Sequence, residues 1–320
     1  MCLFYRPIQL LALGFACLFM VAQAAMGQSR VQNACAKSTG AVFEADAKTS
    51  IVRRVSANVI ETPNFRIYGF GQSKDALKWA AEFEQMRDRI YVFWFDRAES
   101  PAWSPKCELV LHATASDYLR AAGRDQAATL GFSSVERSGH QVVLRRIDIR
   151  ADRAGWCAGA LAHELIHIVM AEECAACELP VWADEGMALM ADPAAKRELH
   201  LRDLRSAFKC NTICPLPQFL SSTSYPCRQN IAVFYGQSLS MVQFLVDRKS
   251  APEFLSFLRL AGQAGYDSAL KSCYGIDGVA DMEKQWRKSL AAPQAARSLD
   301  LKKRADGHSQ MGERASRALE

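Results

Sequence analysis

Residues 161–168 read LAHELIHI, and no other stretch narrows the possible folds as much. Leu161, Ala162, Leu165, Ile166 and Ile168, continued by Val169 and Met170, make the segment apolar on every side. A helix of that kind belongs in a core. Yet it carries two imidazoles and a carboxylate within five residues, and buried ionisable groups are costly unless paired or bound to a metal. Residues four apart share a helix face, so His163 and His167 project toward one point. Glu164 is turned about 100° from His163, beside that point rather than at it. Two imidazole nitrogens about 2 Å from a common ion are what zinc requires, and a neighbouring carboxylate suits a general base; the pattern is HExxH. The competing reading, a surface helix with polar pairs four apart, needs a solvated face that these neighbours do not leave.

A catalytic zinc takes three protein ligands and keeps a position for water. Downstream, LPVWADEGMALMAD reads as a second apolar helix, and Glu185 follows His167 after 17 intervening residues. Asp184 and Glu185 both stand in the first turn of that helix, where the macrodipole favours negative charge. That accounts for Asp184. Gly186 and the apolar Met187, Ala188 and Leu189 turn Glu185 toward the core, which makes it the expected third ligand.

Along the rest of the chain, IVRRVSANVI and NFRIYGF are rich in β-branched and aromatic residues and read as strands. SKDALKWAAEFEQMRDRIYVFWF has helical spacing and opens on Ser73 as a cap. CELVLHA is a third strand, a short helix follows from Ser116 to Ala122, and the segment from Arg124 to Gly139 reads as loop. QVVLRRIDIR, with Val142, Leu144, Ile147 and Ile149 apolar, is the best strand in the chain. From Trp182 the pattern is helical, interrupted by a Pro-, Cys- and Ser-rich loop from Lys209 to Arg228. Strands followed by helices argue for an α+β fold, a small mixed sheet packed on the HExxH helix with a mostly helical C-terminal half. The expected organisation is a leader over 1–24, a weakly patterned lead-in over 25–49 and a zincin-like catalytic part over 50–192. A helical part over 193–290 and a polar, disordered tail over 291–320 complete it.

HExxH followed by a glutamate within Trp182-Ala183-Asp184-Glu185-Gly186-Met187-Ala188 resembles the gluzincin zinc metallopeptidases. It is most similar to the small bacterial peptidase MA-like domains and, more distantly, to zinc aminopeptidases. The resemblance spans residues 155–192 closely and 64–235 loosely. It implies His163, His167 and Glu185 as ligands of one Zn2+ and Glu164 as general base. It also implies a Tyr or His past the third ligand as a donor to the developing oxyanion; Tyr235 in VFYGQSLSMVQFL is the candidate and His200 its rival. In such folds the strand before the zinc helix, here QVVLRRIDIR, forms the sheet edge on which a peptide pairs. The exopeptidase motif Gly-x-Met-Glu-Asn is absent. Where thermolysin-like enzymes place a carboxylate four residues after the ligand glutamate, this chain has Leu189, so the support of the ligands must differ.

Compartment and partners follow from the ends and the composition. Arg6, an apolar run from Ile8 to Ala22 and the small-x-small Ala22-Gln23-Ala24 form a secretory signal peptide; its alternative is an uncleaved anchor. No other segment approaches a membrane span. Of eleven cysteines, nine remain once Cys2 and Cys17 leave with the leader. Most should pair as disulfides in an oxidising compartment, with at least one left over. Cys174-Ala175-Ala176-Cys177 reads as structural rather than as a redox dithiol. His112 in LVLHAT reads as structural as well. The net charge of +5, with acids and bases interspersed, gives no basic stripe and argues against nucleic acid. The expected substrate is a peptide or protein. Two other readings stand beside it: a peptide- or cell-wall-binding module with a structural zinc, and a zinc hydrolase of a non-peptide amide.

Overall fold

Register sorts the residues of the sheet into a buried face and a polar one. The computed structural model describes residues 53–56, 58–69, 75–123, 129–139, 141–153, 157–174 and 179–291. The expected leader, the whole lead-in, the Ser73 cap and the tail beyond residue 291 lie outside them. Six strands, β1 (Arg53–Ser56), β2 (Val59–Glu61), β3 (Phe65–Tyr68), β4 (Cys107–His112), β5 (Gly131–Ser138) and β6 (Gln141–Arg150), form one sheet in the order β1-β2-β3-β4-β6-β5. The pairs β3–β4 and β4–β6 are parallel and the rest antiparallel. Parallel neighbours need crossovers. Helix α1 (Ala76–Phe95) makes the first; α2 (Ala115–Ala122) together with β5 makes the second. The fold is α+β.

Cross-strand partners share a face, so the register lines up Ile67, Leu109, Ile147 and Ser133, and next to them Leu111, Ile149 and Gly131. On this face Ile67, Leu109, Ile147 and Ile149 are fully buried, each worth about 1.5–3 kcal/mol. Helix α3 (Ala162–Glu173) lies along β5 and β6, with α1 beside it. On the opposite face α2 packs against β4 and β6, where the His112 Nε2 is 2.7 Å from Asp148 Oδ1. The structural role expected of His112 fits this buried pair.

Three local expectations change. IVRRVSANVI folds back on itself, Ser56 opposite Val59, to give β1 and β2. The segment expected to be loop contains β5. Its inward positions hold Gly131 and Ser133 rather than large apolar residues, which hides the alternation a strand normally shows. QVVLRRIDIR is β6, and β6 is interior: β4 pairs with one side and β5 with the other, so the edge next to it belongs to β5. Val142 and Leu144 are also out of phase with Ile147 and Ile149. The buried phase of β6 includes Arg145 instead, which donates to Glu172 at 2.6 Å and to the Pro105 carbonyl, with its guanidinium over the Trp103 ring. Those partners are what make a buried arginine tolerable.

The described residues fall into two compact units, one within Met1–Ala176, Met187–Glu198 and Tyr225–Ala232, the other within Cys177–Gly186, Leu199–Ser224 and Val233–Glu320. The second is helical: most of α5 (Ala194–Lys209), α6 (Leu216–Leu220), most of α7 (Ile231–Val246), α8 (Ala251–Ala264), α9 (Tyr266–Tyr274) and α10 (Gly278–Ala291). Its core holds Phe219, Phe254, Phe257 and Trp286. The Pro-rich stretch expected as a disulfide-pinned loop contains α6 and is held by buried Ile213, Leu216, Phe219 and Leu220. Among the described residues Cys107, Cys210, Cys214, Cys227 and Cys273 are free thiols. Among them, too, no helix is long and apolar enough to cross a membrane.

Candidate metal centre

A π-helical turn, Cys157–Leu161, leads into α3, which then runs as an α-helix through both histidines. The four-residue spacing puts the two rings edge to face with centroids 4.9 Å apart. His167 and Glu164 are buried, and His163 is partly exposed. The third candidate ligand, the Glu185 carboxylate, comes from α4 (Val181–Met190). One ligand atom each from His163, His167 and Glu185 lies within 4.8 Å of the other two. Two imidazoles and a carboxylate that close fit the donor set of zinc. Glu185 shares an unbroken helix with Met187, Ala188 and Leu189.

Each residue of the Trp-x-x-Glu-Gly segment has a physical task. Trp182 is buried against Phe219 and Phe254 and donates to Tyr266 Oη at 3.3 Å. Gly186 lies against α7: a Cβ there would stand 2.6 Å from the Ser238 carbonyl oxygen and overlap Val242 Cγ2. Only glycine lets the two backbones come so near. Glu185, turned about 100° from Gly186, is 2 % exposed.

Two residues that sequence reasoning missed complete the surroundings. Asp192, just past α4, is buried, and its Oδ1 is 3.4 Å from His163 Nδ1. Lys196 Nζ stands 3.0 Å from its Oδ2, and Arg197 holds the turn by donating to the carbonyls of Met190 and Asp192. Burial pushes the Asp192 carboxyl up, but His163 and Lys196 outweigh it and hold the group below the ordinary carboxylate value. The support expected to differ at Leu189 therefore comes from seven residues after Glu185. Two helical turns place that residue on the same side as one turn does, so the signal was present in the spacing. The second missed residue is Ser133 on β5, whose Oγ donates to Glu164 Oε2 at 2.7 Å. It left no signal, because its strand read as loop.

Residues 139–292 match the family model described as Peptidase MA superfamily. Over those residues the chain is similar to the peptidase MA superfamily, consistent with a gluzincin-type metallopeptidase-like domain. The match starts just before β6 and runs through α10, well beyond the 155–192 that carry the close resemblance. No match is found among curated proteins. That similarity suggests a metallopeptidase-like function and implies peptides as the class of substrate. The two expected oxyanion donors meet in the helical unit of this domain: the rings of Tyr235 and His200 stand edge to face, 5.7 Å between centroids. Gly236 makes that proximity possible, because a Cβ there would reach to 2.8 Å from Leu204 Cβ on the α5 side.

Proposed function

We propose that this protein is a secreted or periplasmic zinc metallopeptidase of gluzincin type. The observation that carries the proposal is the convergence of His163, His167 and Glu185 on one point, with the Glu164 carboxylate buried on the same helix. Zinc held there would polarise the scissile carbonyl and bring its water toward neutral pKa. The chain's own residues would do the rest. Glu164 takes a proton from the attacking water and delivers it to the nitrogen of the leaving amine. Asp192, facing His163 Nδ1, keeps that ring oriented so that Nε2 carries the lone pair for the metal. Tyr235, or His200 beside it, would donate to the oxygen that becomes negative.

The peptide would lie along β5, since the sheet edge falls there and not on β6; unpaired main-chain groups on an edge accept an added strand. A structural zinc in a binding module would have no use for a carboxylate held beside the ligands, which favours the enzyme over that reading. Hydrolysis of a non-peptide amide would use the same groups and is separated only by substrate. Export rests on the leader pattern at residues 1–24, and it would place the thiols described above where disulfides form. Glu164→Gln should keep zinc and fold while hydrolysis of a peptide library falls by roughly 10²–10⁴-fold. Zinc loss in that variant, or activity that survives it, removes Glu164 as the base.

A further inference from the structure

Glu164 is held from the sheet as well as from its own helix, and what holds it sits on the edge strand. Gly131 and Ser133 are two apart on β5, so both face α3. Ser133 Oγ donates to Glu164 Oε2 at 2.7 Å, both groups buried. At Gly131 a Cβ would stand 2.7 Å from Glu164 Cγ, 3.0 Å from Oε1 and 3.0 Å from Ile149 Cδ1. One strand residue thus grips one carboxylate oxygen, and its neighbour has no side chain where the other oxygen lies. Both are set by the β5–β6 register, Gly131 opposite Ile149 and Ser133 opposite Ile147.

Resting on the metallopeptidase reading above, we infer that Ser133 is a positioning residue for the base: its hydroxyl fixes the Glu164 carboxylate so that Oε1, beside Gly131, is the proton carrier. The proton passes from the attacking water to Oε1 and from Oε1 to the amine nitrogen, while Ser133 stays bonded to Oε2 throughout. Because substrate would pair along the same strand, β5 sets the distance between base and scissile bond.

The experiment has two arms. In the zinc-loaded protein, Ser133→Ala lowers kcat by about ten-fold, the loss of one hydrogen bond to a charged group. KM and bound zinc stay within two-fold of the unsubstituted chain, and Ser133→Thr, which keeps the hydroxyl, recovers most of the rate. In the zinc-free protein, the melting shifts of Ser133→Ala and Glu164→Ala fail to add in the double variant, because each removes one partner of the same bond. An unchanged kcat, a loss confined to KM, a threonine variant as slow as the alanine one, or additive melting shifts overturns the inference. If the unsubstituted protein binds zinc but cleaves no peptide, the metallopeptidase reading fails first. Non-additive melting then assigns the bond a structural role alone.

Discussion

Asp192 shows how much one buried carboxylate can contribute without touching substrate. It faces His163 Nδ1 at 3.4 Å, a separation that is electrostatic more than a tight hydrogen bond, and Lys196 offsets its charge from the other side. A carboxylate behind a ligand histidine fixes the tautomer and raises the ring's basicity. Asp192→Asn keeps the shape and removes the charge. Zinc affinity, measured by competition with a chromophoric chelator, should fall roughly 10- to 100-fold, while kcat at saturating zinc changes far less. Equal affinity in the two proteins would rule out this role for Asp192. At this scale the ligand pair was legible, because four-residue spacing on a helix is a local fact. Asp192 lies a turn beyond the position at which the related enzymes carry their carboxylate, and Ser133 is not legible because its partner lies 31 residues away.

At the scale of elements, α4 serves two masters. One side carries Glu185, and another is pressed against α7 through Gly186, with Trp182 as the anchor in a cluster of aromatic rings. Gly186→Ala puts a methyl into the Ser238 carbonyl and Val242, so α4 must shift. Overpacking of this kind costs about 1–3 kcal/mol, read as a lower urea midpoint with an unchanged slope. Because Glu185 is the next residue, the same shift should weaken zinc binding; a variant as stable and as tight as the parent would show that α4 has slack. The edge strand β5 is the element that pattern reading lost. Alternation of large apolar and polar residues is the usual mark of a half-buried strand, and β5 has Gly131 and Ser133 at its inward positions because a buried carboxylate lies there. The requirement of the site erased the signal of the strand.

For the whole molecule, a metal that binds the folded chain and not the unfolded one adds its binding energy to stability. Zinc at 100 times its dissociation constant should contribute about 2.7 kcal/mol. For a domain of this size that raises the melting temperature by roughly 5–10 °C. Scanning calorimetry with zinc and with a chelator measures the difference, and His167→Ala should abolish it. A melting temperature indifferent to zinc in the unsubstituted chain would mean that the three ligand atoms do not close on an ion. The α+β class, the helix under the sheet and the pair of histidines could all be read from residue order, since periodicity and short spacings are imposed by the covalent chain. The phase of β6, the order of strands and the partners of Glu164 and His163 could not. They depend on cross-strand register and on which buried polar groups find one another, and only packing of distant segments settles that.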